Sequence, residues 1–340
     1  MSNNIFIIGN GFDLDLGLPT KFSDFANSNY WPLAKKKEKN QEISTRTSRG
    51  GFNTIPPLYH TILLEHYLEN KRDKESWFDL EQYLLDYASP NVSKKVVDPS
   101  QELESKIQEN IVYYNKVQNS LYDYILSIQG NKTIKTNSIA GKVLHSIVEN
   151  GFFDHICSFN YTDLNLIANQ LGISKTLNYY HIHGSVANNS IILGVDETKL
   201  RKGYESFHKT SSKHYPSHNL YTELDKASEI VFFGLSFGKI DYSYFDHLFK
   251  KIASEERIPE AKKKYITIFT KDDNSRQGII TNLRDMDINI QRLYAQSHFQ
   301  IICTADGIDN PPLKIFMERL HKNGINAHNN NMRNLASRVY

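Results

Sequence analysis

Seven short apolar runs, five of them bounded on at least one side by Gly, Asn or Asp and all set between longer helical stretches, constrain this 340-residue chain more than any other feature. They are Ile5–Ile8, His155–Phe159, Tyr179–His183, Ile191–Leu193, Ile230–Phe233, Tyr265–Phe269 and Phe299–Cys303. Each is rich in β-branched or aromatic residues and lacks strict polar alternation, the character of a strand buried on both faces. Strands that alternate with helices favour a parallel sheet, because each crossover returns the chain to the same edge. The expected class is α/β, a mostly parallel, doubly wound sheet.

One stretch breaks the rhythm. From about Pro56 to Glu149 the periodicity is helical, as in LYHTILLEHYLEN, WFDLEQYLLDY and the run from Gln101 to Ile128. It reads as a helical insertion over 52–149 in a core formed by 1–33 and 150–322. The polar segment 34–51 is expected as loop, and the Asn- and Arg-rich tail 323–340 as a mobile segment.

Composition excludes more than it selects. With 40 basic and 38 acidic side chains the net charge is +2, which provides no bulk attraction to nucleic acid. The two cysteines, Cys157 and Cys303, are too few for a disulfide scaffold and read as buried thiols. No run approaches the ~18 apolar residues of a membrane span, and the opening MSNNIFIIGNG reads as a strand and not as a targeting segment. The expectation is a soluble, cytoplasmic protein without a membrane partner.

Four stretches could carry chemistry, and all share one layout, a buried strand feeding a polar turn. In IFIIGNGFDLDLGLPTKF, Gly9 and Gly11 follow the first strand, with Asn10 and Asp13 beside them and Gly17, Pro19 and Thr20 in the next turn. Such a loop either cradles a phosphate at a helix start or is a plain tight turn. In CSFNYTDLNLI, Asn160 stands where a strand ends; Asn160 or Thr162 either meets a ligand or caps the helix. In YYHIHGSV, His181 and His183 share a face of an extended segment, and Gly184 ends it. No cysteines or spaced carboxylates complete a metal site around this His-x-His, so no metal is expected, and His183 reads as a general base or ligand group. In EIVFFGLSFGKIDYSYFDHLF, Gly234, Ser236 and Asp241 either meet a phosphate or shape and cap the next helix.

Together IIGNGFDLDLGLPTKFSDF, the WFDLE of Trp77–Glu81, FNYTD at Phe159–Asp163, HIHGS at His181–Ser185 with ILGVD behind it, and FFGLSFGKIDYSYF resemble the AbiH family of abortive-infection proteins. The resemblance runs from the first strand to about Thr304 and implies phage defence by arrest of the infected cell. More distantly, the motifs are similar to those of the sirtuin-like, Rossmann-like fold and its NAD-cleaving defence relatives. There the opening pattern is Gly-Ala-Gly-x-Ser followed by Gly-Ile-Pro, matched by Gly9 to Asp13 and Gly17-Leu18-Pro19. An Asn-x-Asp turn is matched by Asn160, with Thr162 in place of Asp. A catalytic His-Gly is matched by His183-Gly184, and a cofactor-contacting Gly-x-Ser by Gly234-Leu235-Ser236. The chain departs from the pattern at Asp13, which stands where Ser is usual, after Pro19, where the usual Phe-Arg is absent and Lys21-Phe22 lies nearby, at Thr162, and in lacking the zinc-binding cysteines of protein deacylases.

This likeness implies an effector that binds NAD and cleaves it to ADP-ribose and nicotinamide. Asn160 and His183 would be catalytic, and Gly9, Asn10, Gly11, Asp13, Gly17, Pro19, Thr20, Gly234, Ser236 and Asp241 would hold the cofactor. The alternatives are a non-hydrolytic nucleotide sensor, acting alone, as a homo-oligomer or with a partner protein, and a nuclease. A nuclease would draw on Glu65, Asp79 and Glu81, which otherwise read as helix charges facing solvent.

Overall fold

A computed structural model describes the backbone of residues 3–32, 44–46, 52–54, 63–69, 77–91, 104–151, 153–196, 199–215, 220–238 and 241–336. Its strands are β1 (Asn3–Ile8), β2 (Ser44–Arg46), β3 (Phe52–Thr54), β4 (His155–Ser158), β5 (Tyr180–His181), β6 (Ala227–Phe233), β7 (Tyr265–Thr270) and β8 (His298–Cys303). Its helices are α1 (Asn10–Asp15), α2 (Phe22–Ala26), α3 (Leu63–Glu69), α4 (Trp77–Ala88), α5 (Glu104–Asn131), α6 (Ile139–Asn150), α7 (Leu164–Gln170), α8 (Leu220–Lys226), α9 (Tyr242–Ser254), α10 (Asp273–Asp285), α11 (Ile290–Gln296) and α12 (Pro311–Ala336). The chain divides into two compact units: Met1–Thr20 with Ile125–Ile191 and His214–Tyr340, and Lys21–Tyr124 with Ile192–Lys213.

The first unit is built on a six-stranded parallel sheet in the order β5-β4-β1-β6-β7-β8. Counted along the chain within this sheet the order is 3-2-1-4-5-6, that of a doubly wound dinucleotide-binding sheet. Alternate residues of one strand serve opposite faces. Ile5 and Ile7 of β1, with Ile230 and Phe232 of β6, pack under α8 to α11; Phe6 and Ile8, with Val231 and Phe233, pack against α1, α6, α7 and α12. The α/β expectation therefore holds. Helix starts follow local chemistry: Ser138 Oγ accepts from Gly141 N at 3.0 Å to open α6, and Asp163 Oδ1 accepts from Asn165 N at 2.8 Å to open α7.

The second unit, within the described residues, comprises α2, the β2–β3 pair, α3, α4, α5 as far as Tyr124, and the irregular stretch 192–213. Its interior is stitched by polar side chains. Asn110, fully buried, accepts from Leu64 N at 3.0 Å and donates to the hydroxyls of Tyr87 (2.9 Å) and Tyr204 (2.7 Å). Arg201 lies over the Tyr204 ring at 4.8 Å and donates to Tyr87 O at 2.6 Å.

Several expectations shift. Helices occupy every described residue run between 56 and 149 apart from short connections, but α6 belongs to the core of the first unit, since its Val143, Leu144 and Ile147 pack on the sheet. The unit boundary consequently falls at Tyr124 and not at 149. Within 34–51, expected as loop, β2 pairs antiparallel with β3, and 33–43 and 47–51 lie outside the described residues. Ile191–Leu193 forms no strand; its two apolar residues after Ile191, both buried, serve the second unit's core, where Leu193 O accepts from the Tyr114 hydroxyl. From 323 to 336 the tail continues α12, because Asn and Arg tolerate a helix once an apolar face nucleates it at Leu313, Phe316 and Leu320. Residues 337–340 lie outside the described residues.

Candidate functional site

The carboxyl ends of β5, β4, β1 and β6 lie side by side, and each of the four polar turns leaves the sheet there. The strand order reverses between β1 and β6, the switch point at which open α/β sheets usually take ligands. Here that point is closed by backbone. Gly9 N donates to Phe233 O at 2.8 Å and Gly11 N to Gly234 O at 2.9 Å. A Cβ on Gly11 would stand 2.6 Å from Gly234 Cα, and one on Gly234, whose φ is +73°, would stand 2.4 Å from Gly11 Cα. The glycines of the first and fourth motifs therefore exist for each other, because only bare backbone lets the two turns come this close. Their N–H groups are spent on these carbonyls.

On the other side of β1 the polar groups gather around the turn after β4. Asn160 Nδ2 donates to Gly9 O at 3.0 Å, clamping this turn to the first. The Thr162 hydroxyl donates to Asp13 Oδ2 at 2.9 Å. Asp13 is buried, and its Oδ1 has no hydrogen-bond partner. Burial raises its pKa to about 7, against the lowering effects of Thr162 and Asn160. Among the described residues no cation forms an ion pair with it. His181 Nδ1 lies 3.0 Å from Asn160 O. A carbonyl only accepts, so Nδ1 carries the proton and the buried Nε2, which has no partner, is the bare nitrogen. Burial lowers the His181 pKa to about 4, so the ring is neutral at physiological pH.

The remaining expected residues scatter around this centre. Asn10 Oδ1 accepts from Thr20 Oγ1 at 2.7 Å, which ties the two halves of the first motif together. Gly17 turns at φ +85°, and Pro19 stands within the turn where Thr20 N donates to Leu18 O at 2.9 Å. His183, buried, packs edge-on against Phe159 at 5.3 Å and Tyr244 at 6.2 Å, residues of the face that carries Ile5 and Phe232. Asp13 and the Tyr179 ring beside His181 accompany the other face. Gly184 adopts φ +70°, and a Cβ there would stand 1.4 Å from Ser190 O. Ser236 is exposed and its carbonyl accepts from Asn282 Nδ2 at 2.8 Å; Asp241 precedes α9 without a side-chain capping bond.

Sequence reasoning missed two things. It read Thr162 and Asp13 as separate departures, whereas they touch. It also set Glu81 toward solvent, whereas Glu81 is buried and pairs with buried Lys209 at 3.1 Å, with Asp196 of the ILGVD motif 3.9 Å from the same ammonium. The signal available was Lys209 itself, a cation that follows Phe207-His208 and opens a run of hydroxyls. Glu65 is buried too; the side chains of Trp77 and Asp79 lie outside the described residues. Among the described residues no group of three or more His, Cys, Asp or Glu side chains could hold a metal ion, and no helix is long and apolar enough to cross a membrane.

No curated protein and no solved structure matches the chain. The sequence profile described as bacteriophage abortive infection AbiH matches residues 5–259, three quarters of the chain, and the match takes in all four strand-end turns. The chain belongs to the AbiH family of bacteriophage abortive infection proteins.

Proposed function

We propose that the first unit binds NAD at the carboxyl edge of its sheet and hydrolyses it to ADP-ribose and nicotinamide. The observation that carries this reading is the strand order 3-2-1-4-5-6 with four polar turns at one edge, which is the arrangement nucleotide sites use. A second observation supports it. Two of the departures from the sirtuin-like pattern, Ser replaced by Asp13 and Asp replaced by Thr162, are side chains hydrogen-bonded to each other. A hydroxyl and a carboxyl have exchanged places, so the pair of departures is one compensated change.

In this reading water attacks C1′ of the nicotinamide ribose as the C1′–N bond breaks. Nicotinamide leaves as a neutral molecule, and the water proton passes to His183. The oxocarbenium-like transition state needs a fixed ribose and a positioned water. With its Nδ2 donating to Gly9 O, Asn160 would act through its amide oxygen, accepting from a ribose hydroxyl or from the water. Asn10, Thr20 and Ser236 would meet polar groups of the dinucleotide, Gly9, Gly11, Gly17, Pro19 and Gly234 would shape the loops, and Asp241 would stand at the rim. Because the N–H groups of Gly9 and Gly11 are engaged, phosphate binding falls to other groups. That feature favours as second reading a non-hydrolytic sensor of a nucleotide. Incubating purified protein with NAD and measuring free nicotinamide separates the two: release that disappears in His183→Ala supports hydrolysis, and saturable binding without release supports the sensor.

A further inference from the structure

A carboxyl group removed from water must find a cation or several donors to stay ionised. Among the described residues Asp13 has no cation and few donors: the Thr162 hydroxyl reaches Oδ2, the Asn160 side chain adds a lesser effect, and Oδ1 has no hydrogen-bond partner. It is also the side chain that joins α1 to the turn carrying Asn160. We propose that Asp13 is a positioning residue, a neutral carboxylic acid that ties the first turn to the β4–α7 turn through Thr162 and so holds Asn160 in register with Gly9. The ligand part of this inference rests on the nucleotide reading above; the structural part does not.

Three ionisable groups surround the pair. Asp15, two residues on, accepts from Ala140 N at 2.7 Å at the head of α6. Asp163, next to Thr162, caps α7. His181 lies across the Asn160 carbonyl. None is a cation at neutral pH that could stabilise an Asp13 carboxylate, and burial accordingly holds its pKa near 7. The folded state keeps a proton that the unfolded chain, at the ordinary carboxyl value of 3.8, has released, so stability falls as pH rises between these values and is flat above them.

Asp13→Asn, Asp13→Ala and Thr162→Val test this. Asn keeps an acceptor for Thr162 and carries no charge at any pH. The melting temperature of Asp13→Asn minus that of the unaltered chain should grow by about 5 °C between pH 5 and pH 8. A difference that is constant with pH would overturn the neutral-acid assignment. ADP-ribose binding measured by calorimetry should weaken at least ~10-fold in Asp13→Ala and Thr162→Val but stay within ~3-fold in Asp13→Asn, each factor of ten being about 1.4 kcal/mol. A ~10-fold loss in Asp13→Asn would mean that the carboxylate itself is required, and would overturn the positioning role. If the unaltered chain binds no ADP-ribose, the nucleotide reading fails, and the melting comparison still decides whether Asp13 is the neutral tie. Should Asp13→Ala fail to fold, Asp13→Asn and Thr162→Val carry both measurements.

Discussion

Different chemistry holds the interior of each unit. In the first, apolar side chains on both faces of a parallel sheet form the bulk of the core, and buried polar groups are confined mainly to the two ends of the strands. At the carboxyl end these are Asp13, Asn160, Thr162 and His181; at the amino end Glu229 pairs with Arg319, whose guanidinium lies 4.4 Å from the Tyr265 ring centre. In the second, polar groups run through the interior: Asn110 between two tyrosines, Lys209 between Glu81 and Asp196, and Trp31 donating to Glu69 at 2.6 Å. A continuous apolar sheet tolerates polar groups at its rim because strand ends leave backbone donors and acceptors to satisfy them. An interior stitched by hydrogen bonds is less forgiving, because removing one partner strands the other.

That contrast makes ordered predictions. The largest effect belongs to the first unit's backbone contact. Gly234→Ala places a Cβ 2.4 Å from Gly11 Cα at a left-handed φ, and should cost about 4 kcal/mol or more, seen as loss of cooperative thermal unfolding or of soluble protein. Next, Lys209→Met should cost about 3–5 kcal/mol in denaturant unfolding by removing the buried cation that faces buried Glu81, and adding Glu81→Leu should recover a large part of it. A loss below ~1 kcal/mol would erase the distinction between the units. Asn110→Leu should cost about 2–4 kcal/mol, since Leu64 N and two tyrosine hydroxyls lose their shared partner. The smallest effect is at a cap: Ser138→Ala should cost about 1 kcal/mol by freeing Gly141 N, and an indifferent melting curve would remove that cap from the account.

How legible the molecule is from its sequence follows the same division. Six of the seven apolar runs are strands of the first unit, because burial on both faces leaves a local, periodic mark. The polar turns are legible as turns for the same reason. What they do to each other is not. Gly11 and Gly234 are more than two hundred residues apart, and nothing local distinguishes a glycine that admits another glycine from one that admits a phosphate. The second unit hides more. Leu193 ends an apolar run like those of the strands, yet it packs in an irregular segment that tertiary contacts hold. Glu81 sits in a helix whose pattern reads as amphipathic, and its inward charge meets Lys209, 128 residues away in the chain. His181 and His183, expected on one face of an extended segment, stand on opposite faces of the sheet, His181 beside Tyr179 and His183 against Phe159 and Tyr244, because the strand ends at His181 and its alternation stops there.

The central claim is that the edge of the first unit's sheet is a nucleotide site with His183 and Asn160 at its chemistry. The most direct measurement is the release of nicotinamide from NAD by purified protein, alongside His183→Ala and Asn160→Ala variants whose melting temperatures are first matched to the unaltered chain. The account predicts turnover by the unaltered chain and a loss of at least ~100-fold in each variant, the scale expected when a general base is removed. Turnover unchanged in both variants, or neither binding nor release of NAD by the unaltered chain, would contradict it.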